Sequence, residues 1–209
     1  MLKVGLTGGI AAGKTVVGEM LTELGAHVVR ADEIAHNLLR PGESVYEEVV
    51  QQFGAGILNP DKTVNRAKLA ELAFGDGSAK TSRIAELNKI IHPAVIQRQE
   101  AWMEEIGQRE PSAIAVVEAA LLLEAGVGKR FDRLIVVTCT PEQRIQRFAR
   151  RLGISPETAR KEVERRMAAQ LSDEEKIKAA DYVIDNSGLL ENTRRQVESI
   201  YAGLRAAAG

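Results

Sequence analysis

Eight consecutive residues near the N-terminus have the types and the spacing that hold a phosphate chain. They are, in order, Gly8, Gly9, Ile10, Ala11, Ala12, Gly13, Lys14 and Thr15. The glycines let backbone N–H groups point inward at phosphate oxygens. Lys14 would reach the β- and γ-phosphates, and the Thr15 hydroxyl would ligate Mg²⁺. The run predicts a nucleoside triphosphate site, although the loop alone does not separate a kinase from a hydrolytic switch.

Two carboxylates lie at or just past the ends of predicted strands. Asp32 comes two residues after the strand that ends at Arg30, and Glu118 ends the third strand. The carboxyl ends of parallel strands border the ligand crevice, so Asp32 would accept or orient the proton of an attacking hydroxyl. Capping of the next helix is an equal alternative for Asp32. Glu118 would be either a metal-associated carboxylate or a polar strand-end residue.

The stretch 144–166 carries eight basic and three acidic residues in a chain whose net charge is −1. Arg147 and Arg151 are four residues apart on one helix face, where they could clamp a transferring phosphoryl group. Two helical patterns joined near Gly153 suit a lid that closes over the nucleotide. The alternatives are a solvated basic face and RNA binding. The latter is disfavoured because Phe148 is the single aromatic residue among these arginines.

Five short apolar runs predict the strands that must position these groups. They lie at 2–7, 26–30, 113–117, 133–138 and 182–184. Helical patterns alternate with them, which predicts an α/β fold with a parallel sheet covered on both faces. The chain from 31 to about 110 is mostly helical in pattern and would form an insertion outside this core.

Several helix boundaries depend on single residues. Ser44 is expected to cap a helix that reaches Phe53, with Glu47 completing a capping box. A long helix is expected from Ser78 to Ile106, bent or restarted at Pro93. Further helices are expected over 121–126, 141–152, 156–169 and 189–207.

Composition disfavours several classes of protein. The 209 residues fit one domain with an insertion, and the near-neutral charge gives no support for general nucleic-acid binding. Cys139 is the single cysteine, which excludes an internal disulfide and predicts a small buried side chain. No apolar run reaches membrane length and no signal-peptide pattern is present, so a cytoplasmic protein is expected. A guanine-specific element after a late strand is missing, which opposes a GTP-dependent switch.

Several short motifs appear in an order that resembles the dephospho-coenzyme A kinase family over nearly the whole chain. The matching residues are Leu6-Thr7-Gly8-Gly9-Ile10 with Gly13-Lys14-Thr15, Ala31-Asp32-Glu33-Ile34-Ala35, Arg66 with Leu69 and Phe74, Leu87-Asn88 with Ile91-His92-Pro93, Leu121-Leu122-Leu123-Glu124, Arg147 and Arg151 with Gln170, and Ala180-Asp181-Tyr182-Val183-Ile184-Asp185-Asn186. The phosphate loop is generic, whereas its combination with Ala-Asp-x-Ile-Ala, His-Pro and the late Ile-Asp-Asn is specific.

The resemblance implies one P-loop kinase domain over residues 1–209, built as a three-layer α/β/α core with a five-stranded parallel sheet. The core would comprise about 1–30, 111–143 and 181–209, with a helical substrate-binding subdomain at 31–110 and a helical lid at 144–170. The implied reaction moves the γ-phosphoryl group of ATP, with Mg²⁺, to the ribose 3′-hydroxyl of dephospho-CoA. The enzyme would be a monomer or weak homo-oligomer, with no nucleic-acid or membrane partner.

The resemblance also assigns roles to individual residues. The catalytic set would be Asp32, Lys14 and Arg147. The ATP-binding set would be Gly9, Ile10, Ala11, Ala12, Gly13, Lys14, Thr15, Val16, Arg147, Arg151 and Asn186, with Asn186 on the adenine side. The substrate-binding set would be Asp32, Arg66, His92 and Gln170, and Thr15 would be the metal ligand.

The chain departs from the family pattern at two places. Many members have Asp-Ala-Asp where this chain has Arg30-Ala31-Asp32, which leaves Asp32 as the carboxylate for the chemistry. Ala120 stands where proline is common, and Glu118 stands where aspartate is common. These differences affect a turn and metal support.

Overall fold

The computed structural model describes residues 1–74 and 82–209. They form two compact units, one comprising Met1–Arg30 with Met103–Gly209 and the other Ala31–Trp102. The first unit contains a parallel sheet of five strands in the order β2-β3-β1-β4-β5. Its strands are β1 (Leu2–Gly8), β2 (His27–Arg30), β3 (Ile114–Glu118), β4 (Arg133–Thr138) and β5 (Tyr182–Asp185). The predicted five-stranded parallel sheet is therefore confirmed.

Helices alternate with the strands in the first unit and make up most of the second. They are α1 (Lys14–Glu23), α2 (Ala31–Leu38), α3 (Ser44–Phe53), α4 (Arg66–Phe74), α5 (Ile84–Arg109), α6 (Pro141–Leu152), α7 (Pro156–Ala168), α8 (Asp173–Ala179) and α9 (Leu190–Ala208). Within the described ranges, no helix combines the length and the apolar character that a membrane span requires.

The sheet is apolar on both faces because its central strands are covered on both sides. On one face, Val4 and Leu6 of β1 pack with Leu21 of α1 and Val197 of α9. On the other, Val136 of β4 packs in a separate cluster that includes the connection after β3. Full burial of each such side chain contributes about 1.5–3 kcal/mol. This core fixes the carboxyl ends of β1, β2 and β3 along one edge of the sheet.

The second unit is helical and has its own buried residues. Val49 of α3 and Ile57, in a short 3₁₀ turn after that helix, have no exposed surface. Arg83 donates to Glu86 at 2.8 Å, and its guanidinium lies 4.4 Å from the ring centre of Phe53. These contacts join α3 to the beginning of α5.

Two expected helix boundaries in this unit are wrong. Glu43 occupies the N-cap position of α3 and Ser44 is its first residue, with no side-chain cap. The expected restart at Pro93 does not occur, because α5 continues through it, and the alternative of a bend there stays a prediction. A proline removes one backbone hydrogen bond, and burial of Val95 and Met103 beyond it offsets that loss. Ser78 lies outside the described residues, and α5 begins only at Ile84.

Two further differences lie in the first unit. The expected helix at 121–126 is a series of hydrogen-bonded turns that ends at Gly126, whose φ is +68°. So few residues do not sustain a helix when a glycine stops it. Helix α8 was not expected, although its N-terminus carries a capping box formed by Ser172 and Glu175. A serine followed three residues later by a glutamate is a sequence signal for a helix N-terminus, so this helix could have been predicted.

Candidate active site

The phosphate loop occupies the turn between β1 and α1, with Gly8 ending the strand and Lys14 beginning the helix. Gly13 has a φ of +100°, which favours glycine, and Ala11 has a φ of +54°. A Cβ on Gly8 would overlap the Val137 carbonyl, and one on Gly13 would overlap the Asn186 amide. Backbone from β4 and a side chain after β5 therefore define the shape of this loop.

Lys14 folds back over the loop that precedes it. Its Nζ donates to the carbonyl of Gly8 at 3.0 Å and to that of Gly9 at 3.2 Å. The ammonium group thus lies along the first half of the loop, beside the N-terminus of α1. A helix N-terminus and an adjacent lysine are the two elements that attract a phosphate group.

The carbonyl of Ala12 accepts hydrogen bonds from two predicted site residues. Asn186 Nδ2 donates to it at 2.9 Å and Arg147 Nη1 at 3.2 Å. Arg147 Nη2 also donates to the carbonyl of Asn186 at 2.9 Å. The Asn186 Oδ1 accepts from Thr193 at 3.0 Å, so this buried amide holds the loop. Its adenine contact stays a prediction.

Thr15 and Glu118 meet beside the loop. The Thr15 hydroxyl donates to Glu118 Oε1 at 2.9 Å, and Arg30 Nε lies 3.3 Å from Oε2. Arg30 also donates to Glu19 of α1 at 3.3 Å. Glu118 is 7% exposed, and this arrangement compensates its buried charge.

The oxygen atoms at this position suit Mg²⁺. The Thr15 hydroxyl uses its proton for Glu118, so its lone pairs can face a cation. Among the described residues, Glu118 Oε2 accepts no hydrogen bond and has only the ion-pair contact with Arg30. Hydroxyl and carboxylate oxygens are the ligand types that Mg²⁺ prefers, together with phosphate oxygens. Among the described residues no cluster of three or more His, Cys, Asp or Glu side chains forms a metal site. A metal here would therefore depend on bound phosphate for further ligands.

Helices α6 and α7 pack on the loop through a small apolar cluster. Ile10 of the loop joins Phe148 of α6 and Val163 of α7. Arg151 is exposed, with its guanidinium 5.3 Å from the Phe148 ring centre. In α7, hydrogen bonds from two neighbouring arginines lower the pKa of Glu162 to about 2. The positive charge of α7 is thus partly compensated by glutamates of the same helix.

The remaining predicted site residues divide between the two units. Asp32 is the exposed second residue of α2, so it does not occupy the capping position before that helix. Arg66 begins α4 and His92 lies within α5, both exposed. These three belong to the unit Ala31–Trp102, whereas Gln170 belongs to the other. Their substrate-binding roles stay predictions.

Gln170 belongs to a buried polar group that the sequence did not reveal. Lys176 of α8 lies 2.9 Å from Glu124 Oε1 and donates to Gln170 Oε1 at 3.3 Å. The Lys176 side chain is 1% exposed. Glu124 also accepts from the backbone N–H of Leu171 at 3.1 Å. This group ties the segment after α7 to the turns after β3.

A sequence model of the family described as dephospho-CoA kinase matches residues 2–192. The chain belongs to this family. The dephospho-CoA kinases of Leifsonia xyli subsp. xyli and Aquifex aeolicus are each 41% identical to it. The alignment with the first covers 98% of this chain and 100% of the relative, and that with the second covers 98% of both. Dephospho-CoA kinases phosphorylate dephospho-CoA with ATP to give CoA.

Solved structures share the fold of this chain. A crystal structure from Thermus thermophilus is 30% identical, with a TM-score of 0.75 and 97% coverage of both chains. Dephospho-CoA kinase from Campylobacter jejuni has a TM-score of 0.69 at 22% identity, with 98% coverage of both chains. A shikimate kinase from Bacteroides thetaiotaomicron has a TM-score of 0.53 at 12% identity and covers 97% of this chain and 98% of its own. The last two show the fold alone, which is that of P-loop kinases.

Proposed function

We propose that this chain transfers the γ-phosphoryl group of ATP to the ribose 3′-hydroxyl of dephospho-CoA, giving CoA and ADP. The observation that carries the proposal is a complete phosphate loop, braced by Asn186 and Arg147, in a chain that matches a dephospho-CoA kinase over 98% of its length. The ATP phosphates would lie against the backbone N–H groups of residues 9–16. Lys14 would contact the β- and γ-phosphates from above this loop.

Thr15 would bind the Mg²⁺ ion through its hydroxyl oxygen, and Glu118 would orient that hydroxyl by accepting its hydrogen bond. Mg²⁺ bound there would neutralise charge on the β- and γ-phosphates. Arg147 lies close enough to the loop to take part in binding, since its guanidinium already contacts the carbonyl of Ala12. During transfer, Arg147 and Arg151 would stabilise charge on the phosphoryl oxygens.

The acceptor hydroxyl would be activated by Asp32. It is two residues beyond Arg30, the last residue of β2. As the bond from the ribose oxygen to the γ-phosphorus forms, the hydroxyl proton passes to the Asp32 carboxylate. The bond to the β-phosphate oxygen breaks and ADP leaves. Arg66, His92 and Gln170 would contact the rest of dephospho-CoA.

The proposal includes the setting of the reaction. We infer a cytoplasmic enzyme that acts as a monomer or weak homo-oligomer, without a nucleic-acid or membrane partner. The near-neutral charge supports the absence of a nucleic-acid partner. Sedimentation velocity at several concentrations, with and without RNA, tests the oligomeric state and the absence of RNA binding together.

Turnover with defined acceptors tests the function. Purified protein with ATP, Mg²⁺ and dephospho-CoA should yield ADP and CoA in equal amounts, with the new phosphate on the 3′-oxygen by ³¹P NMR. The 3′-deoxy analogue of dephospho-CoA should give no product. Faster turnover of a nucleoside monophosphate or of a shikimate-like alcohol would replace the proposed substrate. ATP hydrolysis that needs no acceptor and is stimulated by RNA would indicate an ATPase instead.

A further inference from the structure

Arg144 is a buried cation that the reaction described above does not use. It lies on α6, one turn before Arg147, but its side chain is only 1% exposed. Removal of a guanidinium from water costs several kcal/mol unless it is paired and hydrogen-bonded. An arginine on a basic helix would ordinarily face solvent, so this position needs a physical reason.

The hydrogen bonding of Arg144 is incomplete. Its Nη2 donates to Asp173 Oδ2 at the beginning of α8. Within the described part of the chain, Nε and Nη1 have no hydrogen-bond partner. Asp173 is 32% exposed, so the counter-ion lies toward solvent while the free donors are buried. The side chain therefore offers buried N–H groups to an acceptor that none of the described residues supplies.

The unpartnered Nη1 group lies against the phosphate loop. A Cβ on Gly9 would overlap Arg144 Nη1, so the guanidinium occupies the space beside the Gly9 backbone. The carbonyl of Gly9 also accepts from Lys14 Nζ. Two cationic groups thus contact one loop residue. Two positive charges at one loop residue favour an anion there.

We propose that Arg144 is a further ATP-binding residue, which donates from Nη1 or Nε to an oxygen of the β- or γ-phosphate. This inference rests on the proposed function only in that ATP occupies the loop. Asp173 is then the counter-ion of Arg144 in the absence of nucleotide, and it competes with the phosphate for the same guanidinium. The alternative is a clamp that only joins α6 and α8 to the loop.

Nucleotide binding separates these two roles. We would measure the dissociation constants of ATP, ADP and adenosine by calorimetry, without any acceptor, for the unaltered chain and for Arg144→Gln, Asp173→Asn and Arg150→Gln. Arg150 is an exposed arginine of the same helix and serves as the matched control. Thermal unfolding of each variant without ligand reports stability.

Arg144→Gln should weaken ATP binding about 10- to 100-fold, as loss of a charge-assisted hydrogen bond does, and should leave adenosine binding unchanged. Asp173→Asn should bind ATP equally well or more tightly, because the competing carboxylate is gone. Arg150→Gln should behave as the unaltered chain. If Arg144→Gln does not fold, Arg144→Lys provides the same comparison with the charge kept and the planar donor group lost.

The proposal is overturned if Arg144→Gln binds ATP normally, or if Asp173→Asn weakens ATP binding as much as Arg144→Gln does. Equal losses in the two variants would identify a clamp. Because no acceptor is present, failure of dephospho-CoA turnover would count against the proposed function and leave this measurement untouched.

Discussion

The hydroxyl of Thr15, at the end of the phosphate loop, donates a 2.9 Å hydrogen bond to Glu118, at the end of the neighbouring strand β3. The bond fixes the direction of the hydroxyl proton and leaves the oxygen lone pairs available to a cation. Arg30, on the adjacent strand, holds the other carboxylate oxygen. Three residues from three elements thus prepare one metal-binding oxygen.

Glu118→Gln should reduce the affinity of the nucleotide site for Mg²⁺. We expect the Mg²⁺ concentration that gives half-maximal turnover to rise about 10- to 100-fold, as it does when a partner of a metal ligand is altered. Initial rates across a Mg²⁺ titration at saturating ATP measure this. Thr15→Ser, which keeps the hydroxyl, is the control and should retain the original titration. An unchanged titration for Glu118→Gln would remove Glu118 from the metal site.

Asp32→Asn should impair chemistry and spare nucleotide binding. The amide keeps the shape of the side chain but cannot take the hydroxyl proton, so kcat should fall about 10²- to 10⁴-fold. The dissociation constant of ATP should stay within about threefold of its original value. Steady-state kinetics and calorimetry provide the two quantities. Glu33→Gln, at the next exposed carboxylate of α2, is the matched control, and near-normal turnover of Asp32→Asn would exclude the proposed base.

Lys176→Met should destabilise the fold, since it leaves Glu124 as a largely buried carboxylate without its ion pair. Breaking a buried pair in this way costs about 3–5 kcal/mol of unfolding free energy. The double variant Lys176→Met with Glu124→Leu should recover a large part of that loss. Urea unfolding gives these values. Lys161→Met, in the exposed pair with Glu157, should be indistinguishable from the unaltered chain, and a similar result for Lys176→Met would show that its ion pair contributes nothing.

Cys139 should be unreactive in the folded protein. Burial is the main cause that raises the pKa of its thiol, so the group stays protonated where an ordinary cysteine ionises. Its contribution to stability is present below the unfolded pKa, about 8.5, and is lost as the pH rises through the higher folded value. At pH 8.5 a thiol reagent should modify the native chain at least about tenfold more slowly than the urea-unfolded chain. Equal rates would show that the thiol is accessible.

Local sequence patterns predicted the parts of the site that depend on near neighbours. The spacing of Gly8, Gly13 and Lys14 specifies a strand, a loop and a helix N-terminus, and the structure has all three. Apolar runs of strand length placed Glu118 at the end of β3 for the same reason. The burial of Cys139 also follows from its apolar surroundings, and it is confirmed.

Local sequence patterns could not predict contacts between segments that are distant in the chain. Arg144 was only one of the charges counted in the stretch 144–166, and its buried pairing with Asp173 depends on α8, a helix that was not expected. The family resemblance assigned Asn186 to adenine, and nothing in the sequence places its amide beside the loop carbonyl 174 residues away. Pro93 lies inside α5, against its low helix propensity, and the buried side chains of Val95 and Met103 follow it.

The close packing around Gly8, Gly9 and Gly13 has a consequence for protein engineering. A Cβ on any of these glycines would overlap an atom from another part of the chain, namely a carbonyl of β4, a guanidinium of α6 or the amide that follows β5. Residues 8–15 transplanted alone into a foreign scaffold would lose these packing contacts and relax to other conformations. A nucleotide-binding graft from this protein would have to include Val137, Arg144 and Asn186 with the octapeptide.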